Sequence, residues 1–161
     1  MQITAVIAVA NDGALGLGGS LPWPRLPRDL ARFREATMGK VCIVGRKTYT
    51  ALPPLKGRRL AVLTRSRNSV REHYAAVIPR TSLEEIVLCA KAEPEVMVIG
   101  GAEVYRLAWP RLDRILLTVV DGTHPADTYL DPPGVLCEGF TCLSSQRHDP
   151  DADNPLGVVF S

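Results

Sequence analysis

Six short apolar runs, rich in β-branched residues, recur along the chain: Ile3 to Ala10, Val41 to Val44, Leu60 to Thr64, Ala75 to Ile78, Val96 to Ile99 and Ile115 to Val120. Near-continuous apolar runs of this length suit strands covered on both faces of a largely parallel sheet. Parallel neighbours need long crossovers, and helix-like segments lie between the runs. Pro27 to Ala36 is one, and a shorter one runs from about Arg46 to Ala51. Ser82-Leu83-Glu84-Glu85 has the capping-box pattern and opens a third that reaches about Lys91. Ala102 to Ala108 follows two glycines and stops at Pro110. This alternation is α/β grammar with right-handed crossovers. After Asp121 the pattern changes: Phe140 to Arg147 and Leu156 to Phe160 read as strands joined by the polar loop His148 to Pro155. They predict an antiparallel hairpin at the sheet edge. The expected architecture is a single α/β domain over residues 1–161, with a mostly parallel eight-stranded central sheet and about four flanking helices.

Composition excludes several function classes. Of 161 residues, 46% are apolar and 22% charged, which is ordinary for a globular domain. A net charge of +2 is too small to imply nucleic acid or a membrane surface. No basic region precedes the first apolar run, so a signal peptide is not expected. No apolar run approaches the roughly 18 residues of a membrane span. Cys42, Cys89, Cys137 and Cys142 show neither a CxxC pair nor a histidine at ligand spacing. A metal site is not expected, and a reducing cytoplasm is the expected setting.

Asp29 is the only carboxylate between Asp12 and Glu35. With a helix starting near Pro27, Leu26, Leu30 and Phe33 form one stripe, and Asp29 falls inside it. Arg28, Arg32 and Arg34 are expected to lie to the side or behind. A bare carboxylate facing a dry interior costs several kcal/mol unless something pairs with it. Two readings fit: an acidic residue favoured by the helix dipole in the first turn, or a carboxylate whose partner is a ligand.

Four loops could hold that ligand's neighbours. Asn11 to Ser20 carries Gly13, Gly16, Gly18 and Gly19 directly after the first strand, without GxGxxG or a following helix. A flexible turn and a mobile lid both fit it. Val96 to Tyr105 reads strand, Gly100-Gly101, helix, where glycine lets a backbone approach a ligand closely. Val44-Gly45-Arg46-Lys47-Thr48 is again strand-to-helix, with two cations and a hydroxyl. Leu63-Thr64-Arg65-Ser66 ends another strand with hydroxyls around an arginine. Strand ends of this kind make the crevice where α/β sheets bind ligands, and arginine with hydroxyls suits the 2′-phosphate of NADP rather than the ribose of NAD.

Seven features then stand in order: Leu21-Pro22-Trp23; Leu26-Pro27 with Asp29 and Phe33; Gly45-Arg46-Lys47-Thr48; Pro54-Leu55-Lys56-Gly57-Arg58; Leu63-Thr64-Arg65; Ile99-Gly100-Gly101 with Val104-Tyr105; and Leu117-Thr118. Over nearly its whole length the chain resembles the dihydrofolate reductases. The resemblance implies NADPH-dependent reduction of 7,8-dihydrofolate to tetrahydrofolate, in support of one-carbon metabolism. It implies that Asp29 holds the pterin's N3 and 2-amino group, supported by Thr118 and, through water, Trp23. Leu30, Phe33, Leu52 and Leu55 would line the pterin and benzoyl pocket, with Val6, Ala8, Ile99 and Tyr105 also on the substrate side. Arg58 would clamp the glutamate carboxylate through two parallel hydrogen bonds. Ala8 and Leu15 would flank the nicotinamide. Gly45, Arg46, Lys47, Thr48, Leu63, Thr64, Arg65 and Ser66 would face the cofactor's phosphates and adenosine. Gly100, Gly101, Ala102, Glu103 and Val104 would face its pyrophosphate, with a cis Gly100-Gly101 bond. Antifolate inhibitors are implied ligands, and a monomer is the implied state.

Some positions depart from common family patterns. Pro24-Arg25 lengthens the gap between Trp23 and Leu26, and Tyr49 stands where Trp is frequent. Ala102 replaces a third glycine, and Glu103 stands where some members carry a cation. Glu103 is expected to weaken NADPH binding or shift the phosphate contact onto Arg65. The chain stops at Ser161, a few residues short of the usual edge strand, and a short last strand is expected. Two alternatives remain beside the leading reading. A pyrimidine reductase of the same fold fits less well, because Asp29, Phe33 and Arg58 address pterin and glutamate. A non-catalytic binder that kept the fold is the other.

Overall fold

A computed structural model of the chain describes residues 1–66, 68, 70 and 77–161. In chain order its elements are β1 (Gln2–Ala10), β2 (Ala14–Gly16), α1 (Pro27–Thr37), β3 (Val41–Gly45), α2 (Arg46–Ala51), β4 (Arg59–Leu63), β5 (Val77–Arg80), α3 (Leu83–Cys89), β6 (Glu95–Val98), α4 (Ala102–Ala108), β7 (Arg114–Val120), β8 (Thr128–Tyr129), α5 (Pro133–Leu136), β9 (Gln146–His148) and β10 (Val158–Phe160). The eight-stranded sheet runs β5-β4-β3-β6-β1-β7-β10-β9. β1 pairs parallel with β6, and β3 pairs parallel with both β4 and β6. β4 and β5 are parallel too, whereas β10 is antiparallel to both β7 and β9. The expected mostly parallel sheet with an antiparallel C-terminal hairpin is therefore present.

The chain groups into two compact units, one of residues 1–6 and 36–114, the other of 7–35 and 115–161. In the first, Cys42, Ile43 and Val44 of β3, Ala61 and Val62 of β4 and Val96, Met97 and Val98 of β6 are buried. The strands were legible because burial on both faces leaves no place for polar alternation. α3 adds Leu83 and Ile86, and α4 adds Val104, Tyr105 and Ala108. Ser82 Oγ accepts from the Glu85 amide at 3.1 Å, as the capping box predicts. Glu85 closes the box on Thr81, whose amide and hydroxyl both donate to Oε2. Cys89 ends the helix, two residues before the expected Lys91.

In the second unit Ala10, Ala14, Trp23, Leu26, Val120 and Val158 form a buried cluster, with Ala8, Ala126, Leu156 and Phe160 packed against it. Part of the glycine-rich loop is strand here: β2 pairs with β8, and the Gly18 amide donates to Asp127 Oδ2 at 2.7 Å. That amide is the main reason the Asp127 carboxyl lies below its ordinary pKa, with the Thr128 hydroxyl adding to it. Gly13 opens the segment at φ +85°, and a Cβ there would lie 2.2 Å from the Leu130 carbonyl oxygen. Both the left-handed backbone and the contact exclude a side chain. Gly13→Ala is expected to destabilise the protein by more than ~1 kcal/mol, read as a lower urea midpoint at unchanged slope.

Several boundaries differ from expectation. Phe140 to Ser145 is not strand; β9 holds only Gln146–His148. Leu143 is 86% exposed, so this stretch has no buried face to select extended pairing. β10 starts at Val158, just after Gly157, where a Cβ would meet the Asp121 carboxylate at 2.3 Å. The fourth strand of the first unit runs Val77–Arg80; Ala75 and Ala76 of the expected run lie outside the described residues. The short β2, β8 and α5 were not expected. Among the described residues no helix is long and apolar enough to cross a membrane.

Candidate active site

α1 presents Asp29 in its first turn, 9% exposed. The Thr118 hydroxyl on β7 donates to Asp29 Oδ1 at 2.7 Å. Among the described residues Oδ2 takes no partner. The stripe around it is not a uniformly dry face. Leu26 is 3% exposed, whereas Leu30 is 38% exposed and Phe33 is half-buried. The carboxylate thus sits where a buried surface passes into apolar side chains that still have area to cover. Trp23 is buried in the cluster that Ala8 packs against, with its ring edge-on to His124 at 6.0 Å. Its Nε1 donor has no hydrogen-bond partner among the described residues. Leu15, on β2, is half-buried.

Burial, the largest cause, raises the Asp29 carboxyl pKa, while the Thr118 hydrogen bond and the Arg32 charge oppose it. A carboxyl harder to ionise folded than unfolded costs no stability while protonated, and stability is lost as pH rises through its elevated pKa. Asp29→Asn removes that loss while keeping an oxygen for Thr118. Its stability relative to the native protein is expected to improve as pH rises from about 4, the ordinary aspartate range. Urea unfolding across a pH series checks this; a difference independent of pH would contradict it.

Spacing placed Arg32 to the side of Asp29, and here the expectation needs correction. Arg32 Nη1 donates to the Leu117 carbonyl at 2.7 Å and to Thr118 Oγ1 at 3.1 Å. Nη2 donates to Ser161 O at 2.8 Å, and the guanidinium lies over the Phe160 ring, 4.4 Å from its centroid. Asp29 therefore has a protein partner in Thr118, which Arg32 holds in turn. The resemblance implied the Thr118 support; for Arg32 the only sequence signal was its three-residue spacing from Asp29, and the strand carbonyls carry none.

The first unit holds the remaining candidates. Arg58 is 8% exposed, and its Nη1 donates to Thr37 Oγ1 at 3.3 Å. Leu52 caps α2 and, like Leu55, is half-buried. The Tyr105 hydroxyl donates to the Val6 carbonyl at 2.6 Å, which locks the ring under Gly100. The Ile99 amide donates to Ile43 O at 2.9 Å and the Gly45 amide to Gly100 O at 2.7 Å. The Gly100–Gly101 peptide is cis, as expected. A Cβ on Gly101 would meet Thr48 Oγ1 at 2.8 Å, and one on Gly45 would meet Val104 at 3.0 Å. The strand-end glycines let β3, α2 and α4 close on one another. Ala102, inside α4, is buried, and Glu103 beside it is exposed.

At the ends of β3 and β4 the donors face outward. Arg46, Lys47, Arg65 and Ser66 are exposed, Thr48 and Leu63 half-buried. Thr64 is buried, its hydroxyl donating to Ser66 O at 3.1 Å. Arg46, Lys47 and Arg65 make no ion pair among the described residues. Exposed cations beside hydroxyls and backbone amides are the donor set an anionic phosphate ligand requires.

The chain is similar over nearly its whole length to known proteins of one family. The family model described as dihydrofolate reductase matches residues 2–161. The chain is 42% identical to the dihydrofolate reductase of Mycobacterium leprae over 139 residues, covering 82% of each chain. It is 33% identical to the type 3 dihydrofolate reductase of Salmonella typhimurium over 161 residues, covering 99% of this chain and 96% of that one. The solved structure of dihydrofolate reductase from Enterococcus faecalis, complexed with NADP(H) and RAB-propyl, superposes with a TM-score of 0.83. That match has 28% identity and covers 99% of this chain and 93% of the other.

Proposed function

The chain belongs to the dihydrofolate reductase family, and from that membership we propose that it reduces 7,8-dihydrofolate to 5,6,7,8-tetrahydrofolate with NADPH, acting as one domain and as a monomer in the cytoplasm. The observation that carries the substrate assignment is Asp29: a buried carboxylate with one oxygen taken by Thr118 and the other without a hydrogen-bond partner among the described residues, beside the part-covered Leu30 and Phe33. A pterin offers what that carboxylate lacks, two adjacent N–H donors on the edge of a flat heterocycle whose faces can stack on apolar side chains. Charge-assisted pairing of this kind is the stronger class of hydrogen bond.

NADPH, when bound, supplies hydride for pterin C6. Arg46, Lys47, Thr48, Thr64, Arg65 and Ser66 would hold its phosphates and adenosine, and Gly100 to Val104 its pyrophosphate. Ala8 and Leu15 would flank the nicotinamide. Arg58 would bind the glutamate carboxylate, with Leu52, Leu55, Val6, Ile99 and Tyr105 shaping the substrate's surroundings. Asp29 orients and polarises the pterin, and water delivers the proton to N5. The work of these residues is positioning and electrostatic stabilisation. The same pterin-binding groups make antifolates expected inhibitors.

The direct test follows NADPH oxidation by absorbance with dihydrofolate as substrate. Absent turnover in folded protein would sink this reading and favour a binder that kept the fold. For cofactor choice, Arg65 lies beyond β4 with no ion pair among the described residues, and it is the side chain offered to the 2′-phosphate. Arg65→Ala is expected to erode the preference for NADPH over NADH by at least ~10-fold, the equivalent of one hydrogen bond to a charged group. An unchanged ratio of kcat/KM values would refute the role. It would also leave Glu103 without a compensating cation.

A further inference from the structure

Arg32 stands three residues after Asp29 on α1, and its guanidinium gathers oxygens from three residues. Leu117 and Ser161 already exchange backbone hydrogen bonds, Leu117 N to Ser161 O at 2.9 Å and Ser161 N to Leu117 O at 2.8 Å. Each of those oxygens keeps a second lone pair, and the Arg32 fork takes both, one with each terminal nitrogen. The nitrogen on Leu117 O also reaches Thr118 Oγ1 at 3.1 Å. A guanidinium donates and never accepts. The Thr118 oxygen therefore receives from Arg32, and its single proton is directed to Asp29 Oδ1, 2.7 Å away.

We propose that Arg32 is a positioning residue for Asp29: it fixes the direction of the Thr118 proton and so decides which carboxylate oxygen is left to the substrate. The inference deepens the reading of Asp29 as the pterin-binding carboxylate and rests on it. Without Arg32 the Thr118 hydroxyl can turn toward a strand carbonyl, and Asp29 loses its only protein donor among the described residues. The fork also ties α1 to β7 and β10, because Thr118 stands opposite Phe160 in the strand register and Arg32 lies over that ring.

The same cation bears on whether Asp29 ionises. From its own helix, Arg32 opposes the desolvation that raises the carboxyl pKa. Arg28, also on α1, directs its guanidinium to the Asp151 carboxylate and the Asp149 carbonyl. β7 contributes the neutral Thr118. On β9, His148 meets the Phe160 ring at 4.8 Å between centroids, the ring over which Arg32 lies.

The test reads the Asp29 carboxyl directly, by carbon-13 NMR titration of the ligand-free protein, alongside steady-state kinetics. Arg32→Met keeps the apolar stem and removes donors and charge. Its Asp29 midpoint is expected to rise by about one pH unit, the lower end of what a neighbouring opposite charge supplies. Its kcat/KM for dihydrofolate at neutral pH is expected to fall roughly tenfold. A merely structural residue would lower the thermal midpoint and leave the carboxyl titration in place, so a native titration midpoint in folded Arg32→Met overturns the proposal. If Arg32→Met does not fold, Arg32→Lys decides. It keeps the charge, but a single ammonium cannot reproduce the fork. A several-fold loss of kcat/KM with a near-native titration midpoint supports the proposal, and native kinetics overturn it. Should the native protein fail to turn over dihydrofolate, the substrate reading falls; the titration, made without ligand, still decides Arg32.

Discussion

Asp29→Asn is expected to lower kcat/KM for dihydrofolate at least ~10-fold, about 1.4 kcal/mol of transition-state stabilisation, while NADPH affinity stays at its native value. Asn keeps the size of the side chain and an oxygen for the Thr118 hydroxyl, so the loss isolates the charge. A hydrogen bond to an ionised group contributes ~1.5–3 kcal/mol net, and the pterin pair would use that charge as the ring gains hydride. A carboxylate that served only the helix dipole would contribute ~0.3–1 kcal/mol to stability and nothing to turnover. The two roles separate cleanly, since one predicts slow kinetics with no loss of stability and the other native kinetics with a loss of stability. Steady-state kinetics, an NADPH binding titration and urea unfolding on the same variant distinguish them. Native kcat/KM would return Asp29 to the helix dipole.

Arg58→Lys is expected to raise KM for dihydrofolate by roughly 10-fold or more with a smaller change in kcat. Arg58 is buried and already donates one N–H to Thr37 Oγ1, which orients the guanidinium before any ligand arrives. Lysine keeps the positive charge but gives up the planar pair of parallel donors that matches a carboxylate. Losing one charge-assisted hydrogen bond costs ~1.5–3 kcal/mol. The glutamate tail is remote from the reacting atoms, so that loss is one of uniform binding and shows in KM. A dihydropteroate that lacks the glutamate supplies the control: native protein and variant should then have equal KM. A variant that loses as much on dihydropteroate would show that Arg58 acts through the fold and not through the tail.

Much of the architecture was legible in the chain. The strand runs were read because strands covered on both faces must be apolar throughout, and α2 and α4 begin and end where expected. Asp29 stood out because a carboxylate in an apolar stripe needs a reason. What was not legible has a common cause. Phe140 to Ser145 looks extended, yet Leu143 is exposed and nothing buried selects a register for it. β2 and β8 are too short to show a period, and exist because they pair with each other. The role of Arg32 was not legible for a different reason: helical spacing gives the side of the helix it stands on, but not that its length carries the guanidinium to strand carbonyls.

The sequence by itself determined the strand and helix order, the glycines at strand ends and the place of Asp29 on α1, because these follow from local periodicity and residue chemistry. The resemblance implied that Thr118 supports Asp29; only the tertiary structure decided what holds Thr118 in place. Thr118 lies 89 residues away and reaches Oδ1, and Arg32 holds Thr118 through a network that includes Leu117 and Ser161 oxygens. Every residue carries the same backbone carbonyl, so the sequence cannot say which carbonyl has a lone pair to offer a guanidinium. That is fixed only when β7 and β10 pair and α1 packs against them.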